Sequence, residues 1–169
     1  MIKLTVVMPA FNEAERIYRN LIETADQIEK FLDDYRILAV NDGSTDNTKS
    51  EIKRAMGRNP KIGMISYTHN RGKGYAVRRG LAAARSEYAA FLDSDLELPP
   101  YLLENLLKIA EDDGADVVIG SKMHPESKIE YPFFRKVMSF GYYFYLKLLF
   151  GMKIHDTQTG IKLFKMESI

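Results

Sequence analysis

The chain has 169 residues, the length of one domain with a substantial core, since domains commonly run to about 100–200 residues. Its composition, 46% hydrophobic and 28% charged, excludes disordered, collagen-like and low-complexity classes, and 24 basic against 23 acidic residues lack the excess of a nucleic-acid-binding domain. The absence of cysteine removes disulfides, zinc-thiolate sites and thiol chemistry together.

Strand and helix signals alternate from the first residues. The apolar run at Leu4 to Met8 is followed at once by polar Asn12 and Glu13, so it reads as a buried strand, not the apolar region of a signal peptide. From Ala14 onward apolar residues fall at 14, 17, 18, 21, 22, 25 and 28, the period of an amphipathic helix, with Asn12 and Glu15 spaced for a capping box. Ile37 to Val40 is a second strand, Asp42-Gly43-Ser44-Thr45 a turn with a Ser/Thr cap, and 46 to 56 a short helix. Ile62 to Tyr67 is the third strand and Gly74 to Arg85 an Ala-rich helix; Tyr88 to Leu92 is the fourth strand. Pro99 and Pro100 open a helix to about Asp112, and Asp116 to Ile119 is the fifth strand. This order predicts an α/β fold, a mostly parallel sheet with helices on both faces. No run reaches the ~18 uncharged residues of a membrane-spanning helix. The nearest, Val137 to Met152, is interrupted by Lys147.

In such a sheet ligands bind beyond the carboxyl ends of the strands. The residues there are Pro9 to Glu13, Asn41 to Ser44, His69 to Gly74, Asp93 to Glu97 and Gly120 to Lys122, rich in Asp, Asn, Lys and Gly. Asp93-Ser94-Asp95 offers oxygen ligands suited to Mg²⁺ or Mn²⁺, with Glu97 as a third carboxylate. The pair alone is weak, since 11 aspartates in 169 residues make roughly 0.7 Asp-x-Asp pairs by chance, and its position after a buried strand is what gives it weight. From Arg58 to Ser86 stand seven Lys/Arg and no acid. At the centre of this stretch, the glycines around Lys73 free amides at a helix N-terminus for phosphate oxygens, although neither a P-loop nor a dinucleotide fingerprint is present. Arg78 and Arg79 read as a solvated face, and His69, His124 and His155 lack metal-ligand spacing. Asp42, which turn chemistry leaves unexplained, can accept hydrogen bonds from a base or ribose.

Together these segments resemble the family-2 inverting glycosyltransferases of GT-A fold. The resemblance rests on Val7-Met-Pro-Ala-Phe-Asn-Glu13, Val40-Asn-Asp-Gly-Ser-Thr-Asp46, Asn70-Arg-Gly-Lys-Gly74 with Ala76-Val-Arg78 and Gly80, and Phe91-Leu-Asp-Ser-Asp95. Val118 to Lys122, Arg135 to Ser139 and Asp156 to Phe164 are similar to the branch that glycosylates polyprenyl phosphates, the last of them more to its dolichyl-phosphate β-glucosyltransferases than to its mannose synthases.

The resemblance implies that Pro9, Ala10, Glu13 and Asp42 line a nucleoside pocket with Lys73 beside it. It implies Asp93 on the ribose and phosphate side, Asp95 with Glu97 on Mg²⁺ or Mn²⁺, and Lys122, Arg135 and Ser139 on an acceptor phosphate. Asp156 is the rival candidate, a base for a hydroxyl acceptor. Lys122 stands where arginine is usual and Glu97 where related mannose synthases commonly carry glutamine. The implied activity is hexose transfer, glucose from UDP-glucose, to a polyprenyl or dolichyl phosphate at the cytoplasmic face of a membrane. The alternatives are mannose from GDP-mannose, a sugar-hydroxyl acceptor in a glycan or polysaccharide, or a silent nucleotide-sugar-binding module. The whole chain, 1–169, reads as one glycosyltransferase domain, ending earlier than family members usually do, with residues 131–152 as a membrane-interface helix.

Overall fold

A computed structural model describes residues 2–120 and 160–168. The first strand, β1 (Ile2–Ala10), is buried on both faces from Leu4 on. It is followed by α1 (Ile17–Ile28), β2 (Tyr35–Asp42), α2 (Thr48–Arg58), β3 (Ile62–Tyr67), α3 (Lys73–Ala83) and β4 (Ser86–Leu92). Then come α4 (Leu102–Asp113), the short β5 (Val117–Ile119) and β6 (Ile161–Lys165), which ends in a 3-10 turn at Met166–Ser168. Residues 1–119 with 160–169 form one unit and 120–159 a second; every element named here belongs to the first.

The six strands lie in the order β3-β2-β1-β4-β6-β5. β1 to β4 pair in parallel, while β6 runs antiparallel to both β4 and β5. The mostly parallel sheet is therefore as the strand pattern requires, with one addition: the fifth strand does not pair with the fourth, because β6 returns between them.

Strand alternation sorts the core into two layers. Leu4, Val6, Met8, Ile37 and Ala39 face α1, α2 and α4, whose Ile17, Leu21, Ile52 and Leu103 are fully buried. Val7 and Val40 face Ala76 of α3 on the other side. There Gly80 lets helix and sheet touch, since a Cβ at this position would overlap the Val7 side chain.

Two expected caps are not formed. Helix α1 begins at Ile17, so Asn12 and Glu15 lie before its first turn and make no capping box. Helix α2 begins at Thr48, and Asp46, not Ser44 or Thr45, accepts the Thr48 amide at 3.0 Å. In both loops the side chains bond across to the other loop, which local spacing does not encode.

Strand order reverses between β1 and β4, so a crevice opens there at the carboxyl ends of the strands. Pairing of β1 with β4 runs to Val7 opposite Phe91, whereas pairing with β2 continues to Ala10. Pro9, which has no amide hydrogen to donate, stands where β1 and β4 part.

Candidate active site

The loops after β1 and β2 are stitched together. The Asn12 amide donates to Ser44 Oγ at 3.1 Å, and Asn12 Oδ1 accepts from the Thr45 amide at 2.9 Å. The Glu13 amide donates to Thr48 Oγ1 at 2.7 Å and the Ala14 amide to Asp46 Oδ2 at 3.1 Å. Burial opposes ionisation of Asp46, yet the Thr48 hydroxyl and the Thr48 and Ala14 amides together hold its carboxyl below the usual range. Asn12 adopts φ 54°, a left-handed conformation that asparagine tolerates. Pro9 and Ala10 are buried at the strand end; Glu13 is part-buried and its carboxylate pairs with Arg16 Nε at 3.0 Å without hydrogen-bond alignment.

Asp42, only 2% exposed, is occupied from within the protein. Its Oδ1 accepts the Arg71 amide at 2.8 Å and its Oδ2 the Asn70 side chain at 3.1 Å, so it ties the β2 end to the loop that opens α3. Gly43 makes this closeness possible: at φ 67° it needs no side chain, and a Cβ would run into the backbone of His69 and Asn70. One amide of the basic loop thus serves Asp42. The hydroxyl of Tyr67 is buried near Asp42 without a hydrogen-bond partner, and burial first, then that carboxylate, push its pKa up.

Beyond β4, Asp93 to Glu97 form a compact turn. The Asp93 amide donates to the Gly160 carbonyl at 3.0 Å, the Leu96 amide to the Asp93 carbonyl at 3.2 Å, and the Glu97 amide to Asp95 Oδ1 at 3.1 Å. Lys73 Nζ stands 2.5 Å from Asp93 Oδ1, and Gly160 packs so closely on this carboxylate that a Cβ there would overlap it. Asp95 and Glu97 are exposed. From α1, Asn20 Nδ2 donates to the Ser94 carbonyl at 2.7 Å.

The sequence thus pointed to Asp42, Lys73, Asp93 and Asp95, and the fold brings the first with the β3–α3 loop and the second with Asp93. It gave no indication of Asn20 or of Gly160 as a partner of Asp93. The available signal for Asn20 was a polar residue inside the stripe 17, 21, 24, 25 and 28, every member of which is buried. Arg78 and Arg79 are exposed as expected, with Arg78 lying 5.7 Å from the Tyr75 ring, and His69 lies in an exposed loop. Lys122, Arg135, Ser139, Asp156, His124, His155 and the 131–152 helix fall outside the described residues.

The donor set suits a hard divalent cation in a particular way. Among the described residues no three Asp, Glu or His side chains converge as a ready-made cage. Asp95 offers an exposed carboxylate at the crevice, one of its oxygens oriented by the Glu97 amide. Such a site fits an ion held by one or two carboxylates and completed by substrate phosphates.

The chain belongs to glycosyl transferase family 2, whose model matches residues 5–169. Its similar curated proteins include the dolichyl-phosphate beta-glucosyltransferases of Saccharomyces cerevisiae (33% identical over 98% of this chain) and Dictyostelium discoideum (30% over 99%). This chain covers 55% of each, so it spans about half the length of these relatives. Among solved structures, mannosyl-3-phosphoglycerate synthase from Rubrobacter xylanophilus superposes with a TM-score of 0.74 at 20% identity, covering 99% of this chain and 54% of that one. Glucosyl-3-phosphoglycerate synthase from Mycobacterium tuberculosis, solved with Mn²⁺, UDP-glucose and phosphoglyceric acid, superposes at 0.69 with 22% identity, covering 98% and 57%. These structures establish the shared fold. Among the described residues no helix is long and apolar enough to cross a membrane.

Proposed function

We propose that this chain carries the catalytic centre of a metal-dependent, inverting hexosyltransferase that moves glucose from UDP-glucose to a polyprenyl or dolichyl phosphate. The observation that carries this reading is the Asp93–Glu97 turn at the β1/β4 opening, where Asp93 is paired with Lys73 and Asp95 is left facing solvent. The relatives named as dolichyl-phosphate beta-glucosyltransferases support both the sugar and the acceptor.

In this reading Pro9, Ala10, Glu13 and Asp42 border the nucleoside, and Asp93 faces the ribose and phosphates. The Lys73 side chain and the Lys73 and Gly74 amides at the start of α3 meet the diphosphate, because the first amides of a helix have no partner within it, whereas the Tyr75 and Ala76 amides already donate to the Gly72 carbonyl. Asp95, with Glu97, would hold Mg²⁺ or Mn²⁺, and the bound ion would supply positive charge against the diphosphate leaving group. The acceptor oxygen attacks the anomeric carbon from the face opposite the diphosphate. The new C–O bond forms as the old one breaks, and UDP departs with the electron pair.

A phosphate acceptor has a second pKa of ~6 and is already largely deprotonated near neutral pH, so it needs cations and hydroxyls more than a base. Lys122, Arg135 and Ser139 fill this role, and Asp156 is left without a proton to abstract. The aromatic segment 131–152, with Arg135, Lys136 and Lys147, rests on the cytoplasmic surface of the membrane that carries the lipid.

The test is transfer of labelled sugar to dolichyl phosphate, with UDP-glucose and GDP-mannose compared in Mn²⁺ and in EDTA. Glucosyl lipid formed from UDP-glucose and only with metal is the expected result. Transfer from GDP-mannose, transfer only to sugar hydroxyls, or binding without transfer would each overturn the proposal. Flotation with anionic liposomes, lost on Phe133→Ser with Phe134→Ser, tests the membrane contact.

A further inference from the structure

Helix α1 buries a polar pair in an otherwise apolar stripe. Asn20 is 4% exposed and Thr24 fully buried, among Ile17, Leu21, Ala25 and Ile28. A buried amide costs about 1–3 kcal/mol wherever it lacks a partner, and an apolar residue would fill the same space without this liability. The two polar residues have different partners. Thr24 Oγ1 bonds back to the Asn20 carbonyl at 2.7 Å, a bond within the helix. Asn20 Nδ2 leaves the helix altogether and donates to the Ser94 carbonyl, 74 residues away.

Ser94 is the middle residue of Asp93-Ser94-Asp95 and is itself 7% exposed. Its carbonyl belongs to the peptide unit that leads into Asp95, so a bond to this oxygen limits rotation of the unit from which the Asp95 carboxylate projects. Two further observations show the turn to be held from several sides. Leu96 adopts φ 55°, a conformation that costs a non-glycine residue about 1–2 kcal/mol, and its side chain packs on the main core. On the β6 side, Asp93 is fixed through the Gly160 carbonyl.

We infer that Asn20 is a positioning residue for the metal-bearing turn: its buried amide, anchored on α1, sets the direction of Asp95 before any nucleotide arrives. The inference rests on the proposed metal role of Asp95, and it assigns to α1 a part in donor binding that does not require contact with the donor. Losing a supporting bond behind a metal ligand typically costs 10–100-fold in metal affinity.

The experiment titrates UDP into the protein in Mn²⁺ and in EDTA, and follows hydrogen exchange of the Leu96 and Glu97 amides without metal or nucleotide. Asn20→Leu, similar in size but without a donor, should weaken UDP binding in Mn²⁺ about tenfold or more, leave binding in EDTA unchanged, and speed exchange of both amides. Asn20→Ser, too short to reach Ser94, should do the same and serves if the leucine variant does not fold. Thr24→Val removes the buried Thr24 bond within this helix and should leave both the metal effect and the exchange as in the parent, which separates positioning from general loosening of α1. A Mn²⁺ effect that survives in both Asn20 variants, or an equal loss in Thr24→Val, overturns the inference. A parent protein that binds UDP equally in Mn²⁺ and EDTA overturns the metal reading and the inference with it, whereas the first two results leave the metal reading intact.

Discussion

Lys73 and Asp93, 20 residues apart and on different elements, meet at 2.5 Å where the first turn of α3 faces the end of β4. The lysine side chain is 58% exposed and the aspartate 20%, so solvent screens the pair and its contribution to stability is at most about 1 kcal/mol. Its value lies in placement. It keeps an ammonium at the crevice, within 5.2 Å of the Phe91 ring centroid, where the proposed donor site would have it exchange its carboxylate partner for a phosphate.

Lys73→Met should therefore leave the urea midpoint almost unchanged while weakening UDP-glucose binding about tenfold and reducing its salt dependence. Titration at two ionic strengths measures both effects. Unchanged affinity would remove Lys73 from the donor site.

Asp95→Ala should abolish the gain in nucleotide affinity produced by Mn²⁺ without unfolding the protein, because an exposed carboxylate contributes little to packing. Turnover should fall by ~10²–10³. Nucleotide titration with and without EDTA, beside a thermal melt, checks the two statements together.

Two glycines in helices should respond in opposite directions. A Cβ at Gly80 overlaps Val7 and crowds Val40, so Gly80→Ala should cost about 1–3 kcal/mol by overpacking. At Gly57, in α2, a Cβ meets nothing within 4 Å, so Gly57→Ala should stabilise by about 0.5–1 kcal/mol. Urea unfolding of both variants is the measurement.

Asp46 gives the loop stitching a pH dependence. Its folded pKa lies below the ordinary 3.8, so its contribution is complete above that value and is lost as pH falls through the lower folded pKa. Asp46→Asn should cost about 1 kcal/mol at neutral pH and flatten the fall in stability below about pH 4. Denaturant midpoints at several pH values between 2 and 7 test this.

Much of the architecture was legible along the chain, because hydrophobic period is a local property. The run at Leu4 to Met8 and the apolar spacing from Ile17 to Ile28 are sufficient to mark a strand and a helix, and βα alternation then implies parallel pairing. The same holds for Asp93 and Asp95, which stand directly after a strand. Partner choice between distant segments was not legible. Asn12 and Glu15 have the spacing of a capping box, yet Asn12 bonds to Ser44 and Thr45, since folding brings that loop nearer than the start of its own helix. Asn20 looks like an ordinary polar helix residue until folding brings α1 to the turn after β4 and its amide finds the Ser94 carbonyl. Asp42 reads as an open acceptor until Arg71 and Asn70 arrive to fill it. Composition and spacing carry the energetics of burial, which each segment expresses alone; directional bonds depend on which backbone groups packing brings within about 3 Å, and only the assembled sheet settles that.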